Sequence, residues 1–176
     1  MLPMILRGNA ICFGDDINTD YIIADHYKAA SADVNEVAKY VFADYRPEFR
    51  EQVRPGDVLV AGRNFGCGSA REAAPRVLKA SGISCVIAKS FARIFFRNAI
   101  NIGLPVLECD TSAIKAGDEL AVDIETGIVD DRTQLLQVRG LPMPSIMAAI
   151  LHEGGLVAYL RRHGDLVLPE NVARKG

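Results

Sequence analysis

This 176-residue sequence has no run of lysine and arginine, no C-x-x-C pair, no long apolar stretch and few aromatic residues. Each absence removes a class of function. Twenty Lys and Arg against 22 Asp and Glu leave a net charge of −2, so a basic nucleic-acid-binding face is not expected. No apolar run reaches the roughly 18 residues that a spanning helix needs, so no membrane segment is expected. The opening "MLPMILRGNAICFGDD" lacks a basic leader region and a small-residue cleavage site, and it reads as a first strand. Cys12, Cys67, Cys85 and Cys109 are far apart, which argues against a zinc or iron–sulfur site built from this chain alone. Cys12, Cys85 and Cys109 lie in apolar runs and read as buried thiols in a reduced, cytoplasmic setting.

What is present suits one α/β domain of mixed parallel and antiparallel sheet. Residues 1–176 form that single domain, with a core over about 5–163 and a loose tail, "LPENVARKG". Apolar spacing predicts a helix over roughly 33–43, and "ADHYKAAS" reads as a loop. "DVLVAG", a helix over 71–81 ended by Gly82, "SCVIAKS", a helix over "FARIFFRNAINIG" and "LPVLE" make a βαβαβ unit. "DELAVDI" and "QLLQVRG", around a "TG" turn region, read as antiparallel strands, and two short helices follow.

The chemistry concentrates in "GRNFGCGSAREAAP", residues 62–75. The segment runs from a strand through a glycine-rich turn into a helix N-terminus. It lacks the lysine of a P-loop, the third glycine of a dinucleotide fingerprint and the flanking glycines of a nucleophile elbow. Gly66 and Gly68 allow close backbone approach, helix-start N–H groups favour an anion, and the Arg71 fork suits a carboxylate. Ser69 stands within reach of the same ligand. The residues alone leave two readings open: an anion cradle, or a tight turn with Arg71 in a surface ion pair. Cys67 reads as a wall residue, with a helix-activated nucleophile as the alternative. His26, His152 and His163 are remote from it in sequence.

Three segments, "GDDINTDYII", "NFGCGSARE" and "AKSFARIFFRNAINIGLP", agree in order and spacing with one family. Together they resemble the 3-isopropylmalate dehydratase small subunits of the aconitase superfamily, in their compact archaeal or broad-specificity form. The resemblance runs from about residue 5 to "YLRRHG". It implies a swivelling β/β/α domain that closes over an active site shared with a large subunit. It also implies that the partner carries a [4Fe–4S] cluster and that this chain carries no cofactor. The implied reaction is loss of water from a hydroxy-di- or tricarboxylic acid and its return at the neighbouring carbon, as in leucine biosynthesis.

Carried over by position, the resemblance makes Ser69 the base for the carbon-bound proton and Arg71 the grip on a substrate carboxylate. The N–H groups around Gly68 and Ser69 would stabilise developing negative charge. Relatives usually have a second serine where Ala70 stands, a loss of one donor amounting to about 1 kcal/mol of binding. Ala24 stands where a proline is common. The resemblance also places Tyr27, Lys28, Ala29 and Ala30 in a loop that selects the substrate. Ala29 matches the arginine of homoaconitate-type relatives, so a small apolar substituent is expected. Lys28 would reverse that expectation if it turned inward rather than into solvent. His26 reads as a surface residue, Asp16, Asn18, Thr19 and Asp20 as turn formers, and Lys89, Ser90 and Arg93 as supporting. Phe91, Phe95 and Phe96 read as core or as partner interface. The rivals are a related dehydratase for dimethylmalate, homoaconitate or a citrate-like acid, a non-catalytic anion-binding module, and a thiol enzyme using Cys67. A homo-oligomer of the isolated chain is a further possibility.

Overall fold

A computed structural model describes residues 2–167. The expected loose tail, residues 168–176, lies outside the described residues. Seven strands form one sheet in the order β4-β3-β2-β1-β5-β6-β7. They are β1 (Ile5–Cys12), β2 (Val58–Ala61), β3 (Cys85–Ala88), β4 (Val106–Glu108), β5 (Glu119–Asp123), β6 (Ile128–Asp131) and β7 (Leu136–Arg139). The helical segments are α1 (Thr19–Ile22), α2 (Asp25–Lys28), α3 (Val34–Val37), α4 (Phe49–Gln52), α5 (Ala73–Ala80), α6 (Arg93–Ile102), α7 (Ser145–His152) and α8 (Leu156–His163).

One half of the sheet is parallel and the other antiparallel, and β1 belongs to both. Its first residues pair antiparallel with β5, from Ile5 opposite Asp123 to Asn9 opposite Glu119. Its last three, Ala10 to Cys12, pair parallel with Val58 to Val60. Gly8 sits at the changeover, where a Cβ would come within 1.9 Å of the Gly56 carbonyl oxygen. The expected βαβαβ unit is β2-α5-β3-α6-β4, parallel throughout. Every residue of β2 and β3 is buried, which explains their unbroken apolar sequences.

Several local expectations need correction. The helix expected over 33–43 is one α-turn, α3, and one 3₁₀ turn, Ala38–Tyr40. Phe42 takes a left-handed φ of 56°, and its N–H donates to the Ile22 carbonyl at 2.9 Å. There its buried ring stacks on Phe13 at 4.5 Å and meets Phe49 edge-on at 4.9 Å. Aromatic packing here outweighs helix continuation. The stretch "ADHYKAAS" is not wholly loop, because Asp25–Lys28 forms the single turn α2. The second helix of the βαβαβ unit starts at Arg93, since Phe91 bridges Phe65 in extended form. The antiparallel half has three strands rather than two, with β6 between the two expected.

Candidate active site

The glycine turn leaves β2 and is stitched on both sides. On one side, Gly66 N–H donates to the Ile17 carbonyl and Thr19 N–H to the Cys67 carbonyl, each at 2.8 Å. On the other, Phe65 N–H reaches Ser90 O at 3.0 Å and Ala92 N–H reaches Phe65 O at 2.9 Å. The turn is therefore a strand-like insert between two other segments. Two glycines make the insertion possible. Gly66 has φ 79°, and a Cβ there would lie 2.2 Å from the Phe95 ring; Gly68 has φ 92° and faces the Asn18 side chain. Phe65, Phe91 and Phe95 pack beneath as core, and Phe91 and Phe96 both line a separate apolar groove.

Asn18 caps α1 by accepting from Asp20 N–H at 2.8 Å. This fixes Thr19, whose buried hydroxyl donates to the Ser69 carbonyl at 3.0 Å. Ser69 itself is exposed, and its hydroxyl takes no partner among the described residues. The expected helix over 71–81 begins at Ala73, so Ser69, Ala70 and Arg71 lie in the lead-in rather than in its first turn. A cavity of about 310 Å³ opens there. Gly68, Ser69, Ala70 and Arg71 line it together with Thr19, Arg93, Ile94 and Phe95.

Arg71 is held as well as presented. Its Nη1 contacts Asp25 Oδ1 at 2.6 Å and Asp20 Oδ1 at 2.9 Å. Both aspartates use the same nitrogen, which leaves the rest of the guanidinium fork for a ligand. Of the two sequence readings the ion pair is present, and Arg71 also borders the cavity. Lys28 is not a solvated side chain. Its Nζ lies 2.5 Å from Asp25 Oδ1, with 24% of the side chain exposed. The Asp25 carboxyl lies below its ordinary value of 3.8, first through its hydrogen bond to Lys28, then through the charges of Lys28 and Arg71.

The other loop residues are not brought to the cavity. Tyr27 donates to Asp44 at 2.9 Å and stacks on Tyr40 at 4.6 Å. Ala29 and Ala30 are exposed. Lys89 and Ser90 do not line the cavity, whereas Arg93 does. Arg93, read from the sequence as supporting, lines the cavity, and Asp25 was passed over. Arg93 had a signal, since a cation at the first position of a helix opposes the helix dipole and asks for a reason. Asp25 had none, because its partner Arg71 lies 46 positions away.

Cys67 has no activating cation beside it among the described residues. Burial, and then the Asp16 carboxylate, push its thiol above the ordinary 9.0. The histidines are engaged elsewhere: His26 faces Asp44, His152 faces Glu125 and His163 faces Glu153. A cluster of the [4Fe–4S] type takes several converging thiolates. Burial pushes the Cys85 and Cys109 thiols up to about 12. Among the described residues no three His, Cys, Asp or Glu side chains converge. Among the described residues no set of thiolates is arranged to hold such a cluster. No helix of the described residues is long and apolar enough to cross a membrane.

Known proteins resemble this chain along nearly its whole length. Residues 16–112, which include the glycine turn and α6, match the aconitase C-terminal domain family. The 3-isopropylmalate dehydratase small subunit 2 of Archaeoglobus fulgidus is 54% identical over 163 residues, covering 93% of this chain and 99% of that protein. Small subunit 1 of Thermotoga maritima is 46% identical, covering 92% and 98%. The crystal structure of a 3-isopropylmalate dehydratase from Methanocaldococcus jannaschii superposes with a TM-score of 0.87 at 40% identity, covering 98% of this chain and all of that one. On sequence and on fold, across nearly its whole length, the chain belongs to the 3-isopropylmalate dehydratase small-subunit family, with an aconitase C-terminal domain at its centre.

Proposed function

We propose that this chain is the small subunit of a hydro-lyase that interconverts 2-isopropylmalate and 3-isopropylmalate in leucine biosynthesis, active when joined to a large subunit. One observation carries the reading: Ser69 and Arg71 border one cavity, on a turn whose backbone is fixed by Thr19 and Phe95. Arg71 grips a substrate carboxylate through the nitrogens that Asp20 and Asp25 leave free. Ser69 Oγ, as the alkoxide, takes the proton from the carbon beside a carboxylate and becomes the neutral hydroxyl, and the electron pair of that C–H bond becomes the new double bond as hydroxide leaves the next carbon. In the return step hydroxide adds to the carbon that lost the proton, and Ser69 gives its proton to the carbon that lost hydroxide, which regenerates the alkoxide and completes the isomerisation. A serine is a weak base in water, so Ser69 needs the N–H groups of its own turn and the exclusion of solvent. Closure of the large subunit over the cavity supplies that exclusion, and the cluster chemistry at the departing hydroxyl belongs to the large subunit. The reading includes the apolar substituent expected from Ala29, and a self-associated form of the chain before assembly.

The test is turnover by the complex rebuilt with its large subunit, comparing isopropylmalate, dimethylmalate and homoaconitate. Isopropylmalate is expected to lead. Ser69→Ala should lower kcat by roughly a thousandfold or more with an unchanged fold, whereas Cys67→Ala should stay within about threefold. Near-normal turnover in the serine variant would remove the assigned base.

A further inference from the structure

Arg71 and Lys28 come from separate segments, yet both end on one oxygen, Asp25 Oδ1, at 2.6 and 2.5 Å. The anion is the exposed member. The Asp25 side chain is 69% exposed, while Arg71 and Lys28 are 18% and 24% exposed. Ordinary surface pairs leave the long cation in water. Here two inward-lying cations are covered by one short carboxylate. Asp20 also holds Arg71, at 2.9 Å, but among the described residues only Asp25 holds Lys28. Around Arg71, two cations against two carboxylates leave no net charge, and Arg93 is the further cation that lines the cavity. Without Asp25 one positive charge is left over, on a flexible stem already lying beside Arg71.

We propose that Asp25 is a specificity-determining residue: by occupying Lys28 it keeps the Arg71 corner to a single carboxylate clamp and disfavours acids that bring an additional carboxylate. The assignment rests on the reading of Arg71 as the substrate's carboxylate grip. It gives Lys28 a defined state, present beside the site but neutralised. Ala29 and Ala30 add no charge of their own, so the balance falls to the Asp25–Lys28 pair.

The test compares kcat/KM for homoaconitate with that for isopropylmalate in the reconstituted complex. Asp25→Asn should raise that ratio about five- to tenfold. Asp25→Glu should keep it near the wild-type value, and adding Lys28→Met to Asp25→Asn should return it there. A general loosening of the loop would lower both substrates together and would ignore Lys28. An unchanged ratio in Asp25→Asn, or a shift that survives Lys28→Met, overturns the proposal. Calorimetric titration of the full chain alone with tricarballylate and with succinate separates this from the functional reading. If the wild-type complex fails on isopropylmalate while Asp25→Asn selectively tightens tricarballylate, the function is wrong and the role of Asp25 stands. No gain in tricarballylate binding in Asp25→Asn overturns that role whatever the turnover.

Discussion

At the scale of single residues, the site depends on positions where a side chain is forbidden. Gly66 is the sharpest case. Its φ of 79° is strained for any other residue, and the added Cβ would meet the Phe95 ring at 2.2 Å. Phe95 is 2% exposed and held between Phe65 and Phe91, so it has no room to withdraw. Gly66→Ala should therefore cost about 2–3 kcal/mol, read as a lower urea midpoint. Activity should fall further than stability, because the same displacement moves Ser69. Gly14 is the control, with nothing within 4 Å of its built Cβ. Gly14→Ala should change stability by less than about 0.5 kcal/mol. Equal losses in the two variants would mean that close approach to Phe95 does not shape the turn.

At the scale of elements, the turn is positioned by α1 more than by the helix that follows it. α1 is only four residues long, too short to be stable alone, and it is held by the Asn18 cap and by the hydrogen bonds of Thr19 to the Cys67 and Ser69 carbonyls. Thr19→Val keeps the shape of a buried side chain while removing its bond to Ser69 O. The expected cost is about 1 kcal/mol of stability, with a larger proportional loss in kcat than in KM, since Arg71 keeps its aspartates. A loss confined to KM would place Thr19 with binding rather than with the base. These dependencies also mark the limit of what the sequence reveals. The βαβαβ unit was legible because its strands are continuous apolar runs and α6 ends at a left-handed Gly103. The glycine turn was legible because its residues are contiguous. The split helix at Phe42 was not, because the periodicity of Val34 to Val41 carries no trace of the Phe13 and Phe49 rings. Strand β6, "IVDD", was hidden by its two aspartates, one of which is buried and paired. The Asp25–Arg71–Lys28 group was illegible for the same reason as Phe42: it joins side chains that only the fold brings together.

At the scale of the whole molecule, sharing β1 between both halves of the sheet ties the site to strands that never approach it. Ala10 N–H donates to Asp118 O at 2.9 Å, and Gly117 N–H donates to Ala10 O at 2.8 Å, where β1 changes partner. Beside that junction, Gln134 Nε2 donates to Asp118 Oδ2 at 2.6 Å and to Asp131 Oδ2 at 3.1 Å. The Asp118 carboxyl is held below its ordinary 3.8, chiefly by the Lys115 N–H at 2.8 Å, which outweighs its burial, with Asp131 and Gln134 adding to the effect. A depressed carboxyl means that the folded state favours the ionised form. The resulting stability is fully present above the unfolded value near 3.8 and disappears as pH falls through the lower folded value. Unfolding free energy should therefore be level above about pH 5 and decline on further acidification. Asp118→Asn should be less stable than wild type near neutrality, and the gap should narrow as acid protonates the native carboxyl. Because one sheet passes through all seven strands, tyrosine fluorescence, to which Tyr21 of α1 and its stacking partner Tyr45 contribute, should report the same midpoint as far-UV circular dichroism at every pH. Separate midpoints would instead show that the antiparallel half melts by itself, and that the site does not depend on it.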